Sequence, residues 1–173
     1  PGDYGYVRVY EFHDPLVEPE AEPEAEPEPE PGWLQLGSDI DGEAAYDYSG
    51  HSLAMNSDGT RIAIGAHRND GNDNTDSDRG HVRVYEYKTY TNDDVGNYHH
   101  TSQEQGTTNN KPLIITANNS TAPVIGNSYW IQVGNDIDGE AATNPAFPGY
   151  AVADNSGYSV AMSSDGTRIA IGA

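Results

Sequence analysis

Between residues 69 and 78 the chain reads NDGNDNTDSD, and side-chain oxygens fall at alternate positions: Asp70, Asn72, Asn74, Asp76 and Asp78. Residues of that type at that spacing suit a hard cation, because Ca²⁺ takes about six to eight oxygen ligands and a flexible loop can wrap them around it. An acidic, solvated loop joining two strands would read the same way. A second set lies in DIDGE, which is written twice: Asp39, Asp41 and Glu43, then Asp136, Asp138 and Glu140. These alternating carboxylates again suit calcium, while Asp41-Gly42 equally suits a plain turn without metal. Calcium is the expected cofactor, with the 69–78 loop its first candidate site and the DIDGE copies its second.

The spacing in 69–78 resembles the first half of an EF-hand loop, without that loop's glycine at the sixth place, where Thr75 stands, or its closing glutamate, where His81 stands. Catalysis finds little support. Serine, histidine and aspartate all occur, yet there is no G-x-S-x-G elbow, no H-E-x-x-H pair and no Gly-Lys phosphate loop, so no catalytic residue is assigned. His99-His100 sits in polar sequence, where a solvated pair and a weak transition-metal site are both open readings. His51, His67 and His81 read as polar residues at strand ends. Asn118 and Asn119 open two overlapping N-x-S/T acceptors, which are glycosylation sites if the protein is secreted by a eukaryote.

Composition bounds what the chain can be. Of 173 residues 35% are hydrophobic, and 19 glycines and 11 prolines leave much of the length to loops. A formal charge of −20 repels nucleic-acid phosphates and anionic membrane surfaces, and favours cations or basic partners. There is no cysteine, hence no disulfide framework and no thiolate chemistry. No apolar run is long enough to cross a membrane and no signal peptide opens the chain, which reads as a stretch of a longer protein.

The residues that could do chemistry are carried by a repeat. GWLQLGSDIDGEAA at 32–45 returns as YWIQVGNDIDGEAA at 129–142, and SGHSLAMNSDGTRIAIGA at 49–66 returns as SGYSVAMSSDGTRIAIGA at 156–173. GYVRVYEF at 5–12 returns as GHVRVYEY at 80–87. Self-similarity of this kind marks an architecture of stacked units. The elements alternate with period two, as strands do: Val82 and Val84 share one face, while Arg83, Tyr85 and Tyr87 share the other. Asp58-Gly59 and Asp165-Gly166 lie between short apolar alternations and predict hairpins at 51–66 and 158–172 with two-residue type I′ turns. Further strands are expected at 6–12, 33–36, 81–87 and 130–133, and no stretch carries a helical period.

The motifs resemble the FG-GAP repeats of integrin-α-like β-propellers: Trp33, then Ser49-Gly50, the strand SLAM, Gly65-Ala66, and GHVRVYEY from Gly80. The family's Phe-Gly is Ser49-Gly50 and Ser156-Gly157 here, and its proline is His67. The calcium loop that such repeats carry inside the hairpin has shrunk to NSDGT, so that site is not expected. The resemblance implies an all-β fragment of a β-propeller, one whole four-stranded blade flanked by two half-blades. Residues 1–12 would be an outer strand of the first blade, 13–32 a Pro/Glu-rich acidic linker, and 33–48 a closing strand with its inter-blade loop. Residues 49–87 would be three inner strands of the central blade, 88–129 a polar insertion in which PLIIT is one extra edge strand, 130–155 the closing strand and next loop, and 156–173 the inner hairpin of a third blade. The function implied is a non-catalytic scaffold, extracellular or at the cell surface, that mediates adhesion or binding to protein or carbohydrate, with calcium as a stabilising ion. The alternative is part of a propeller enzyme, a hydrolase or lyase, whose active site lies in other blades. No nucleic-acid partner and no membrane insertion are expected.

Overall fold

The structure, a computed structural model, is all-β; it describes residues 4–14, 30–70, 78–98, 113–116, 121–140, 142–143 and 151–173. Among the described residues the one helical element is a 3₁₀ turn at Asn92–Asp94. The centre is a five-stranded antiparallel sheet in which four strands follow in chain order, β5 (Ser52–Met55), β6 (Arg61–Ala66), β7 (His81–Thr89) and β8 (Ser128–Gln132), and a short fifth pairs with the start of β7. Register puts Ile62 opposite Tyr85, Ile64 opposite Arg83 and Tyr87 opposite Trp130, so these side chains share one face of the sheet. The other face carries Ala63, Val82 and Ile131. Strand β7 runs to Thr89 and β8 begins at Ser128, so both ends of the polar insertion belong to the sheet.

Three two-stranded sheets cover these faces. On the Tyr85 side lies the first copy of the repeat: β1 (Tyr6–Val7) paired with β4 (Ile40–Asp41), and β2 (Tyr10–His13) paired with β3 (Gly32–Gln35). Val7, Val9 and Ile40 of that copy and Ile62, Ile64, Tyr85 and Trp130 of the central sheet form one buried core. On the opposite face lies the hairpin of β12 (Ser159–Met162) and β13 (Ile169–Gly172), which packs on β5 and β6. Between these, β9 (Ile137–Asp138) pairs with the start of β7, and β10 (Ala142–Thr143) with β11 (Ala151–Val152).

The hairpin turns are not type I′. At 56–59 the Gly59 amide donates to the Asn56 carbonyl at 3.2 Å, and of the turn residues only Gly59 has positive φ, at 74°. The loop therefore runs over four residues, Ser57 to Thr60, and is built on a type I turn. Asp58 serves as an Asx bracket: its Oδ1 accepts from the Thr60 amide at 3.0 Å and the Thr60 hydroxyl at 2.6 Å. Asp165 does the same for Thr167. An aspartate that brackets in this way has no need of positive φ, which is why the Asp-Gly pair misleads.

Residues 113–116 of PLIIT lie beside β8, with an isolated bridge where an extra edge strand was expected. Ile114 bridges Ile131, the Ile115 amide donates to the Trp130 carbonyl at 2.9 Å, and the Gln132 amide donates to Leu113 at 2.7 Å. This covers the outer edge of the sheet and buries Leu113, Ile114 and Ile115. The residues before it form a loop at 90–98, held by the 3₁₀ turn in which Asp94 closes a capping box on Thr91, while Tyr90 packs with Ile114, Ile131, Tyr98 and Tyr129.

Candidate functional site

The 69–78 loop is described only at its ends. The Gly80 amide donates to the Asn69 carbonyl at 2.9 Å, and the Asp78 amide to Asp70 Oδ1 at 3.1 Å, so the neck of the loop is closed and Asp70 stands in it. Asn72, Asn74 and Asp76 lie outside the described residues, as do Asn118, Asn119, His99, His100 and nearly all of the Pro/Glu tract.

The DIDGE carboxylates do not converge on themselves. In each copy the strand breaks after the Trp-bearing segment, at Gly37 (φ 70°) and Gly134 (φ 76°), and resumes at Ile40 and Ile137. The excursion carries Asp39 onto Arg8, Nη2 to Oδ2 2.7 Å, and Asp136 onto Arg83, 2.9 Å. Gln35 and Gln132 each donate to the same carboxylate. Asp41 and Asp138 sit in strand, opposite Tyr6 and His81. DIDGE is therefore partly strand, and its first aspartate is an internal counter-ion for an arginine. Sequence reasoning passed over Arg8 and Arg83; the signal was an arginine sharing a strand face with tyrosines in both copies of VRVY.

Glu43 leaves its own unit and enters the next. One carboxylate oxygen meets Arg83 Nη2, and the other accepts from Asn69 Nδ2 at 3.0 Å and lies 3.6 Å from His81 Nδ1. Asn69 also donates to Asp47 at 2.8 Å. Glu43, His81 and Asp136 are the one group of three potential metal ligands that meets among the described residues, and Arg83, 5% exposed, sits between its carboxylates. A guanidinium thus fills the place where a cation would neutralise them. Burial pushes the Asp136 carboxyl up, but Arg83, His81 and Gln132 outweigh this and hold it below its usual range. Burial keeps His81 below the usual imidazole range despite Asp136, Asp138 and Asp47 nearby. The network is a polar clamp between units, and each carboxylate in it is already committed.

A second feature lies on the connection from the first unit to the central one. Tyr46 and Tyr48 have left-handed backbone, φ 74° and 58°, and border an open cleft of about 350 Å³ with Gly5, Ser49, Gly50 and His51. Tyr46 is 71% exposed. Beside the cleft His51 and His67 lie 4.1 Å apart by ring centroid, flanked by Tyr48 and Tyr158, and the Arg68 guanidinium lies over the Tyr48 ring at 5.1 Å. His67 is buried, and burial lowers its pKa. In the second copy the residue corresponding to Tyr48 is Asn155, also left-handed at 56°. Asparagine tolerates that conformation; tyrosine adopts it at a cost. No known protein family, curated protein or solved structure matches the chain.

Proposed function

We propose that this chain is a stretch of β-propeller of the FG-GAP kind, a non-catalytic scaffold that binds protein or carbohydrate outside the cell or at its surface. Four strands of its central sheet would be one blade, with the first-copy strands and the last hairpin as parts of its neighbours. Tyr48 carries the binding part of this reading. It occupies a left-handed position that its sister copy fills with asparagine, and a strained residue kept beside a cleft is a reason to look for a ligand there. Tyrosine offers broad contact area at low entropic cost, which suits carbohydrate or protein recognition. Calcium belongs to the same reading as a stabilising ion of the 69–78 loop.

The test is binding of the chain to an oligosaccharide array and to intact cells, with Tyr48→Asn alongside. The variant should bind at least about tenfold more weakly while melting no lower, since asparagine relieves the backbone. Equal binding by both proteins, or none by either, would remove the cleft from the proposal. A melting temperature raised by Ca²⁺ and not by Mg²⁺, and lost in Asp76→Ala, would place the ion; at a hundredfold excess over Kd the gain is about 2.7 kcal/mol. Equal curves in both ions would leave the loop as solvated surface.

A further inference from the structure

The chain carries 28 acidic against 8 basic residues, yet a cation without an acidic partner stands beside the Tyr48 cleft. Arg8, Arg61, Arg83 and Lys88 are each held by a carboxylate. Arg68 is exposed, forms no ion pair among the described residues, and lies with its guanidinium over the Tyr48 ring at 5.1 Å. A guanidinium stacked by its face keeps its edge N–H groups for a ligand, and that edge is the planar fork that matches an oxyanion. None of the residues lining the cleft is acidic. Asp47, which stands between the two tyrosines in sequence, is 4% exposed and accepts from Asn69 Nδ2 and the Ala44 amide. Asp78 acts on His67 and does not border the cleft.

From this we infer that the cleft takes a saccharide bearing an anionic group, a carboxylate or sulfate on a sugar ring, with the Arg68 guanidinium on the oxyanion, the tyrosine rings against the sugar and His51 and Ser49 on its hydroxyls. The inference rests on the binding role proposed above for Tyr48 and narrows its ligand. The second copy does not repeat the set: Tyr46, Tyr48 and His51 correspond to Ala153, Asn155 and Tyr158. These side chains therefore belong to a particular junction between units, as residues kept for recognition do, and not to the repeat as such. At about 350 Å³ the cleft is at the small end of the ~300–1,000 Å³ typical of ligand sites, which suits a short stretch of saccharide and not a folded partner. Net charge narrows the class further. At physiological ionic strength charges more than about 8 Å apart are largely screened, so a single anionic ring in the cleft senses Arg68 beside it. A run of anionic units, whether polysaccharide or acidic peptide, would extend over the surface of a chain of charge −20 and be repelled. A sparse acid in an otherwise neutral saccharide meets both conditions.

Calorimetric titration of the chain with a glucuronic-acid-terminated trisaccharide, its methyl ester, the sulfated counterpart and a tetraglutamate peptide tests the inference. The acid or the sulfate should bind at least about tenfold more tightly than the ester, and the order of the two tells which oxyanion the fork prefers. That preference should shrink as ionic strength rises. Arg68→Gln should bring the ratio of acid to ester to about one, and Arg68→Lys should keep part of it, because the charge stays while the fork is lost. Arg68 is an exposed side chain, so an unchanged circular dichroism melt verifies the fold of both variants. Acid, sulfate and ester bound equally, and all weakened by Tyr48→Asn, would overturn the inference while keeping the cleft as a binding site. No saccharide bound at all would remove both. Tetraglutamate bound more tightly than either charged saccharide would overturn the inference in favour of an acidic peptide.

Discussion

At the residue scale the same aspartate does different work in the two copies. Asp136 and Arg83 are both largely out of solvent, so removing one strands the other charge in a poorly solvated place. Asp39 and Arg8 are partly in water, where an ion pair is screened and worth little. Asp136→Ala should therefore cost about 3–5 kcal/mol, and Asp39→Ala should change stability barely measurably, as urea denaturation midpoints of the two variants will tell. Equal losses would mean that the clamp between units contributes nothing special. The sequence showed both aspartates and their spacing. What it concealed was their partners, since an arginine some 30 to 50 residues away in the chain carries no local mark of the pairing.

At the element scale the hairpin turns separate a backbone requirement from a packing requirement. Gly59 and Gly166 both have positive φ, at 74° and 66°. A Cβ on Gly59 would find only the Met55 sulfur at 3.8 Å, while one on Gly166 would meet Arg61 Cδ at 2.8 Å and Asn56 Nδ2 at 3.0 Å. Gly59→Ala should thus cost about 1–2 kcal/mol for the left-handed backbone alone. Gly166→Ala should cost more, because the turn of one unit rests on the turn of the next, where Arg61 Nη1 donates to the Gly166 carbonyl at 3.1 Å. Chemical denaturation of both variants checks the order, and a reversal would contradict the packing of the hairpins. Strand positions were legible from period-two alternation, and the presence of a hairpin from Asp-Gly. The turn type was not, because the aspartate side chain's own hydrogen bonds decided the loop length.

At the scale of the whole molecule, acid stability reflects groups that the fold keeps from protonating. His81 is held below its ordinary value of 6.5 by burial, so between that value and its folded one the unfolded chain binds more protons. Its contribution is complete above about pH 6.5 and is lost as pH falls through the folded value. Lys88 and Thr91 hold Asp94 down to about 2 from 3.8, so its contribution is present above 3.8 and is lost as pH falls toward 2. A plot of melting temperature against pH should fall in two stages. His81→Leu should shrink the upper stage, leaving the share of His67, whose pKa burial also lowers. Asp94→Asn should shrink the lower stage. A His81→Leu profile parallel to that of the native chain would show that this imidazole already titrates normally.

Repetition, strand alternation and an excess of acid are properties of neighbouring residues, and the amino-acid order alone determined them: an all-β chain of repeated units with acidic loops. Which carboxylates stay available to a cation was decided only in three dimensions. Arg8 and Arg83 claim the first aspartate of each DIDGE, and Glu43 crosses into the next unit. The same holds for the two tryptophans, identical in local sequence yet 68% and 0% exposed. Burial depends on what lies across the interface, and a repeat cannot say within its own residues whether a neighbour covers it.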